Sequence, residues 1–593
     1  MSDKRKGEEP KPPKSGLKSF KDLARLKGIE PSPPSAADEA AAAKFKFVTD
    51  IDGRKIDDIK EADARERITR RPAAFGPMNT GPAVYRDADS EEMNILASFR
   101  VRTFFPDDVL REVEHLPQDP TEEDKLGRMD LRGQTIFTID GDDARDYDDA
   151  ISIRALGADA YEVGVHIADV GHYVRSGTAL DAEALARATS VYLPDQVVPM
   201  LPEELSNHLC SLVEGRDRLA YSVIMTFDAK GKRTDSRVGK SVIRSVKRNT
   251  YRVVQELLDG VDSAETRSIA FLREPLEQFK KWTVIQQQIR DAKGSLRMQS
   301  RERKFQFDDK HEVKAVVDYP RYFSMALIEE TALAANQAVG DLFRQRGLPT
   351  IYRVHKEKSQ EEIEQVAKSL EEHGIRVPTK ERLTGRDIGR MIRAARRAPN
   401  AEALIGRIMG LIERAVYEVK DDKDVATHFG LARQAYLHFT SPIRRYPDLM
   451  VHRWLWAIES RGEEAAQELK TLELIDDLNS VAAHSSAQSE VAEMCSNAVG
   501  DLKVCQYMHP HIGEKLDAKV LRVSTFGMEV HLRDFNVTGF LPTRAIGERG
   551  EVKGPTLTIK QGRFVKSFTE GHPIAVRLKD VDFLRLQLML ELA

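Results

Sequence analysis

The sequence predicts a mixed α/β (α+β) body followed by a small all-β barrel of the OB type, and three observations predict it. At 593 residues the chain exceeds what one core accommodates, since single cores seldom grow past roughly 250–300 residues. From about Gly133 to Ile512 strand-like runs alternate with helical runs, as in bodies that mix both elements. From Gly513 the texture changes to short strands broken by Gly, Asp and Pro, the spacing of a small barrel. The chain therefore divides into a tail (1–82), a linker (83–132), a catalytic-sized body (133–512) and a terminal barrel (513–593).

The tail contains EPKPPK, EPSPPSAADEAAAA and RRPAAFGP, scattered charge and almost no apolar period. Such a stretch buries too little surface to offset the entropy of ordering, so it is expected to be disordered. Its lysines from Lys4 to Lys27 could meet phosphates or a partner, or serve as a solubilising extension. NILASFRVRTFF, from Asn94, reads as a strand. PDDVLREVEHL starts a helix, with Pro106 near its first turn and acids at its amino end. GQTIFTID and AYEVGVHIADV read as strands rich in Val, Ile and Thr. YFSMALIEETALAANQAVGDLFRQRG has apolar positions at helical spacing and ends at Gly347. In the last segment KLDAKVLRVS, FGMEVHL, TGFLP, FVKSF and HPIAVRLKDV supply five strands for the OB barrel. Barrels of this kind bind nucleic acids, saccharides or proteins.

Composition narrows the function classes. No long apolar run is present, and the content is 41% hydrophobic and 31% charged, which excludes a membrane-spanning or fibrous protein. Lys and Arg total 91 against 95 Asp and Glu, a net charge of −4. An anionic partner must then be held by local patches. Cys210, Cys495 and Cys505 are an odd number without metal-ligand spacing, which fits a reduced compartment. MSDKRKGEEPKPPK lacks the apolar core of a secretory signal, so a cytoplasmic location is expected.

The chemistry concentrates in TIDGDDARDYDDAIS, which places Asp140, Asp142, Asp143, Asp146, Asp148 and Asp149 directly after an apolar strand. Like charges 4 Å apart repel by about 4 kcal/mol at an effective dielectric near 20. Converging carboxylates therefore need a cation, or some must stay protonated. Oxygen ligands with no Cys or His nearby favour Mg²⁺, or Mn²⁺ in its place, over zinc. An EF-hand loop fails on spacing: counted from Asp140, the glycine position is Arg145 and the glutamate position is Ile151. A merely solvated acidic loop is the bland alternative. The second constellation is HFTSPIRRYPDLMVHR, where Arg444, Arg445 and Arg453 lie around Thr440, Ser441 and Pro442. Adjacent guanidiniums beside hydroxyls suit a phosphate clamp. Together the two motifs point to phosphoryl chemistry: ions neutralise a scissile phosphate and activate water, and an arginine holds the charge that develops.

At these residues the chain resembles the ribonuclease II/ribonuclease R (RNB) family of exoribonucleases, with ribonuclease R the nearer of the two. The matching pieces are PTEEDKLGRMDLRGQTIFTIDGDDARDYDDA, VHIADVGHYV, VYLPDQVVPMLPEELSNHLCSL, IEETALAANQAV, YRVH and HFTSPIRRYPDLMVHR, in family order from about Leu96 to the end. The resemblance implies an RNB catalytic domain closed by an S1-type OB barrel. It also implies processive 3′-to-5′ hydrolysis of single-stranded RNA with a free 3′ end, two Mg²⁺ ions and release of 5′-mononucleotides. It assigns metal ligation to Asp140, Asp146 and Asp149, the cleavage step to Asp148 and contact with the scissile phosphate to Arg444, with Arg445 beside it in the substrate site. Tyr192 of the YLP motif is expected to stack near the scissile end; Glu330 and Asn336 are expected at the terminal nucleotides. Phe526 and His531 are candidate RNA-facing residues of the barrel, or ordinary barrel residues.

The chain departs from the family pattern at three places. The low-complexity tail stands where ribonuclease R carries two cold-shock barrels. Met298 in KGSLRMQ aligns with the aromatic that clamps terminal bases, and a thioether stacks less well than a ring. Met528 stands where the barrel commonly has another aromatic. The expectation is a monomeric, Mg²⁺-dependent exoribonuclease of RNA turnover with no membrane contact. The alternative is an RNA-binding adaptor that keeps the fold without turnover.

Overall fold

The computed structural model describes residues 90–593, apart from 158–159, 297–302, 309–311, 356–357, 379–382, 399, 421–426 and 548. The tail (1–82) and Met298 lie outside the described residues. The body is built on one curled sheet. Its strands are β1 (Met129–Asp130), β2 (Ile136–Asp140), β3 (Asp149–Gly157), β4 (Ala160–Ala168), β7 (Asp217–Phe227) and β8 (Arg233–Thr250), while β5 (Val191–Tyr192) and β6 (Val197–Val198) form a separate hairpin. The order is β1-β8-β2-β3-β4-β7, and β8 also pairs with β7. This closure is possible because β8 has 18 residues. Its first part runs antiparallel to β7, with Phe227 opposite Arg233 and Asp217 opposite Arg244. Its last part runs parallel to β2, with Ile136 opposite Ser245 and Asp140 opposite Thr250.

The sequence reading of β2 and β4 agrees with these strands. Ile136, Phe137, Thr138 and Ile139 are all buried, so β2 is a core strand with both faces covered and no polar alternation. Its end, Asp140, is thereby delivered to the sheet's rim.

Ten helices are used below: α1 (Ser90–Ser98), α2 (Asp107–Glu114), α3 (Ala179–Arg187), α4 (Arg273–Lys293), α5 (Phe323–Gln345), α6 (Gln360–Glu371), α7 (Gly385–Ala395), α8 (Ala401–Met409), α9 (Tyr446–Arg461) and α10 (Leu472–Met508). The stretch from Asn94 was expected to be a strand, and this is corrected: Asn94–Ser98 belong to α1, and among the described residues 101–106 join no sheet. Ile95 and Leu96 are consecutive apolar residues on a helix, and they pack with Cys495, Val499 and Leu502 of α10. A tertiary partner with helical spacing outweighed the β-propensity of the segment. Pro106 is the N-cap of α2, next to its first turn as the sequence reading has it.

α5 confirms the helical reading, and Gly347 beyond its end has φ +61°. Its buried face, Leu327, Thr331, Ala334, Ala335, Ala338, Val339 and Phe343, repeats every three to four residues. Small residues let the neighbouring chain approach closely. A Cβ at Gly340 would stand 1.9 Å from the Ala435 carbonyl oxygen.

At the carboxy end a closed five-stranded barrel forms from Lys515–Ser524, Gly527–Leu532, Val537–Pro542, Gln587–Leu592 and Pro573–Asp582, in that order. FVKSF was expected in this barrel. It instead forms Phe564–Thr569 of a separate three-stranded sheet with Arg549–Lys553 and Thr556–Gln561. The fifth barrel strand is Gln587–Leu592, where Leu588 and Leu590 alternate inward. Phe564 and Val565 are both exposed, so they have no interior to fill. The last turns of α10 belong to the barrel's core through Val504, Cys505 and Met508. Glu570, with a fully buried side chain, fastens the barrel to the body by pairing with Arg407 of α8 at 2.9 Å.

Candidate active site

β2 ends at Asp140 and β3 begins at Asp149. Residues 141–148 between them have no ladder of their own, so their backbone groups must be satisfied from outside. Arg248, near the end of β8, donates to the carbonyls of Gly141 at 2.6 Å and Asp142 at 2.9 Å. The hydroxyl of buried Ser211 donates to the Arg145 carbonyl at 2.8 Å and accepts the Tyr147 N–H at 2.9 Å. The Leu212 N–H donates to the Tyr147 carbonyl at 3.0 Å, and the Ala168 N–H to the Asp148 carbonyl at 2.9 Å. The backbone is thus pinned on both sides of Asp146.

The second wall is the turn at residues 441–445, which leads into α9. Asp448, fully buried in the first turn of that helix, accepts the Ser441 N–H at 2.9 Å and binds Arg445 through Nε at 2.9 Å and Nη2 at 2.7 Å. The turn so held presents the Ile443 N–H to Asp148 Oδ1 at 2.9 Å. It also brings Arg444 Nε within 3.6 Å of Asp148 Oδ2. A third strip, residues 188–192, is stitched to the same turn: the Ser190 N–H donates to the Arg444 carbonyl at 3.1 Å and the Tyr446 N–H to the Ala188 carbonyl at 2.9 Å. Tyr192 at its end keeps a ring 41% exposed. Its hydroxyl donates to Asp146 Oδ2 at 3.0 Å, and the Arg444 guanidinium carbon lies 6.0 Å from the ring centre.

The structure therefore sorts the six acids of the run. Asp142 and Asp143 are exposed, and Asp143 lies 3.6 Å from Lys304. The other four are electrostatic neighbours: Asp140 feels Asp149 and Asp146, and Asp148 feels Asp146 and Asp149. Burial, then the neighbouring charge of Asp149, pushes the Asp140 carboxyl well above its usual range. Burial likewise raises Asp148 against the pull of Arg444 and the Ile443 N–H, and raises Asp149 to about 6 against Arg444 and Arg445. Among the described residues no three His, Cys, Asp or Glu side chains are gathered within ligating reach of one point. The residues nevertheless fit a hard divalent cation. Asp140 Oδ2 and Asp148 Oδ2 are buried and without a hydrogen bond, the donors are all oxygen, and the crowded carboxylates lack the positive charge that would ionise them together.

The remaining substrate candidates fall elsewhere. Arg445 is engaged by Asp448 and shapes the turn. Glu330 is buried on α5 and pairs with buried Arg290 at 2.9 Å. Buried Asn336 donates to the Tyr436 hydroxyl at 3.0 Å and accepts the Phe439 N–H at 2.8 Å, so it braces the 436–440 segment that leads into the Arg444 turn. In the barrel Phe526 is 81% exposed and lines a cleft of about 650 Å³ with Phe540, Arg544, Arg585 and Met589. His531 lines a different cleft, with Arg522 and Glu529. Met528 is buried in the barrel's core. Sequence reasoning missed Ser211, Arg248 and Asp448. Ser211 stands inside the quoted NHLCSL segment, but nothing local distinguishes its hydroxyl from any other.

An acidic loop at the rim of a curled sheet, faced by an SPIRR turn, defines the class: the model of the RNB domain matches residues 128–461, a stretch that holds all four inward aspartates, Tyr192 and Arg444. The chain belongs to the RNB family. The particular proteins it resembles are ribonucleases R. That of Thermotoga maritima is 38% identical over 439 residues, 74% of this chain and 61% of that protein. That of Escherichia coli K12 is 33% identical over 503 residues, covering 83% and 60%. The chain thus spans about 60% of the length of these two relatives. Among solved structures, Mycoplasma genitalium RNase R in complex with ribose methylated single-stranded RNA shares the fold with a TM-score of 0.75 at 24% identity, over 85% of this chain and 78% of that one. Yeast Ssd1, a pseudonuclease, gives a TM-score of 0.61 at 18% identity over 80% of this chain and 58% of that one.

Proposed function

We propose that this protein is a processive 3′-to-5′ exoribonuclease that hydrolyses single-stranded RNA to 5′-mononucleotides, acting as a cytoplasmic monomer in RNA turnover. The observation that carries this reading is the meeting of Asp148 with the Arg444 turn beside Asp140, Asp146 and Asp149. Two Mg²⁺ ions, or Mn²⁺, held by Asp140, Asp146 and Asp149 would neutralise the scissile phosphate and activate the attacking water. The chain's own groups do the rest. Arg444 holds negative charge that develops on the phosphate. Asp148 is kept in one orientation by the Ile443 N–H, so it needs no reorganisation during the reaction. Tyr192, anchored to Asp146, offers a ring face for a base at the strand's end. No side chain here is placed as a covalent nucleophile; Ser441 is a turn residue whose hydroxyl accepts from Arg444 at 3.0 Å.

The likeness to a structure described as a pseudonuclease makes the adaptor reading the competitor. The four aspartates and Arg444 in one site favour turnover, because a non-catalytic adaptor has no need of crowded, costly carboxylates. The test is a 5′-labelled single-stranded RNA incubated with Mg²⁺, with and without EDTA. Mononucleotides released only with metal support the enzyme. Gel retardation without shortening overturns it in favour of the adaptor.

A further inference from the structure

We propose that α7 carries a second RNA contact, separate from the catalytic groove, in which a face made of arginines tracks the phosphates of the incoming strand. The proposal rests on the reading of the protein as an enzyme acting on RNA. α7, GRDIGRMIRAA, is followed directly by Arg396 and Arg397. Ile388, Met391 and Ala395 are buried against Leu370, Ile375, Val377, Leu404 and Ile408, so one side of the helix is a packing face. On the other side Arg386, Arg390, Arg393, Arg396 and Arg397 are all exposed. The helix's one acid, Asp387, is buried; it closes the capping box with Thr384 and pairs with Arg390.

A solvated helix face normally mixes signs, because like charges three or four residues apart repel. α6, next to it in sequence, has the opposite balance: Glu361, Glu362, Glu364 and Glu371 stand with Lys368 as its one base. α7 instead accumulates like pairs at i,i+4 (Arg386/Arg390, Arg393/Arg397) and at i,i+3 (Arg390/Arg393, Arg393/Arg396). The helix dipole favours cations at the last turn only, and it opposes Arg386 in the first turn. A chain of net charge −4 that concentrates guanidiniums against both effects matches a polyanion, and Arg is the side chain suited to phosphate oxygens. Arg386 also donates to the Ala292 carbonyl at 2.6 Å. That bond seats the arginine face beside the end of α4.

The test is binding of a labelled single-stranded RNA of about 25 nucleotides in EDTA at several KCl concentrations, with a pentanucleotide as control. The double variant Arg393→Gln, Arg397→Gln should lower the slope of log K against log salt by about 1.4, two contacts at about 0.7 each, and should weaken long-RNA binding several-fold. The Lys/Lys double variant should restore the slope, which separates charge from folding. Pentanucleotide hydrolysis with Mg²⁺ should stay unchanged. An unaltered slope on the long RNA, or an equal loss on the pentanucleotide, overturns the proposal. A wild-type protein that leaves the pentanucleotide intact while the slopes differ overturns the catalytic reading instead, and leaves the arginine face supported.

Discussion

The main-chain N–H of Ile443 donates to Asp148 Oδ1 at 2.9 Å, joining residues 295 apart in sequence. One bond thus couples the two motifs on which the site depends: the acidic loop receives its orientation from the turn that also carries Arg444. Its other oxygen, Oδ2, is buried, accepts no hydrogen bond and lies 3.6 Å from Arg444 Nε.

Asp148→Asn should preserve this bond, since the amide oxygen still accepts from Ile443. Hydrolysis should fall by about 10³-fold or more, the scale of losing one preorganised electrostatic group, while RNA affinity stays within a few-fold. Single-turnover cleavage and fluorescence anisotropy measure the two. A loss of affinity equal to the loss of rate contradicts the role given to this residue.

Ser211→Ala removes the part-buried hydrogen bonds to the Arg145 carbonyl and the Tyr147 N–H, a cost of about 0.5–1.5 kcal/mol each. The Mg²⁺ concentration for half-maximal activity should rise, because the backbone around Asp146 is released, and Ser211→Thr should recover it. A variant with lowered stability but an unchanged Mg²⁺ requirement would show that Ser211 supports the fold alone.

Burial holds the Asp149 carboxyl at about 6, above the ordinary 3.8. Between these values the folded, metal-free protein binds more protons here than the unfolded chain. This group's contribution to stability is therefore complete below about pH 4 and is lost as pH rises through 6. A divalent ion that binds the ionised form reverses the loss. The rise in Tm produced by Mn²⁺ should be larger at pH 7.5 than at pH 5, as read by differential scanning fluorimetry; an increment independent of pH argues that the ion binds elsewhere.

Gly340→Ala would drive a methyl group into the Ala435 carbonyl, 1.9 Å from the added carbon. Overpacking of this kind costs about 1–3 kcal/mol or more. Because Asn336, one turn earlier, braces the 436–440 segment leading to Arg444, activity should fall together with stability in a urea titration. A variant as stable as the parent would mean that α5 and residues 435–440 can separate without penalty.

The acidic run and the SPIRR turn were legible in the sequence because their chemistry is local: a residue type at a fixed spacing after an apolar strand. The limit lies in tertiary partners: the motifs named Arg445, Glu330 and Asn336, but not Asp448, Arg290, Tyr436 and Phe439, against which they are set. The stretch from Asn94 shows the same limit for secondary structure, since a strand-like composition became α1 once α10 supplied an apolar partner.

Sequence by itself determined the two-part architecture, the oxygen-only donor set and the pairing of acids with arginines, because these follow from composition, period and functional-group chemistry. Tertiary structure alone decided that the Ile443 N–H orients Asp148, that Arg248 and Ser211 pin the acidic loop, and that FVKSF leaves the barrel. Those outcomes depend on burial and on hydrogen-bond partners brought from hundreds of residues away, and no local pattern encodes them.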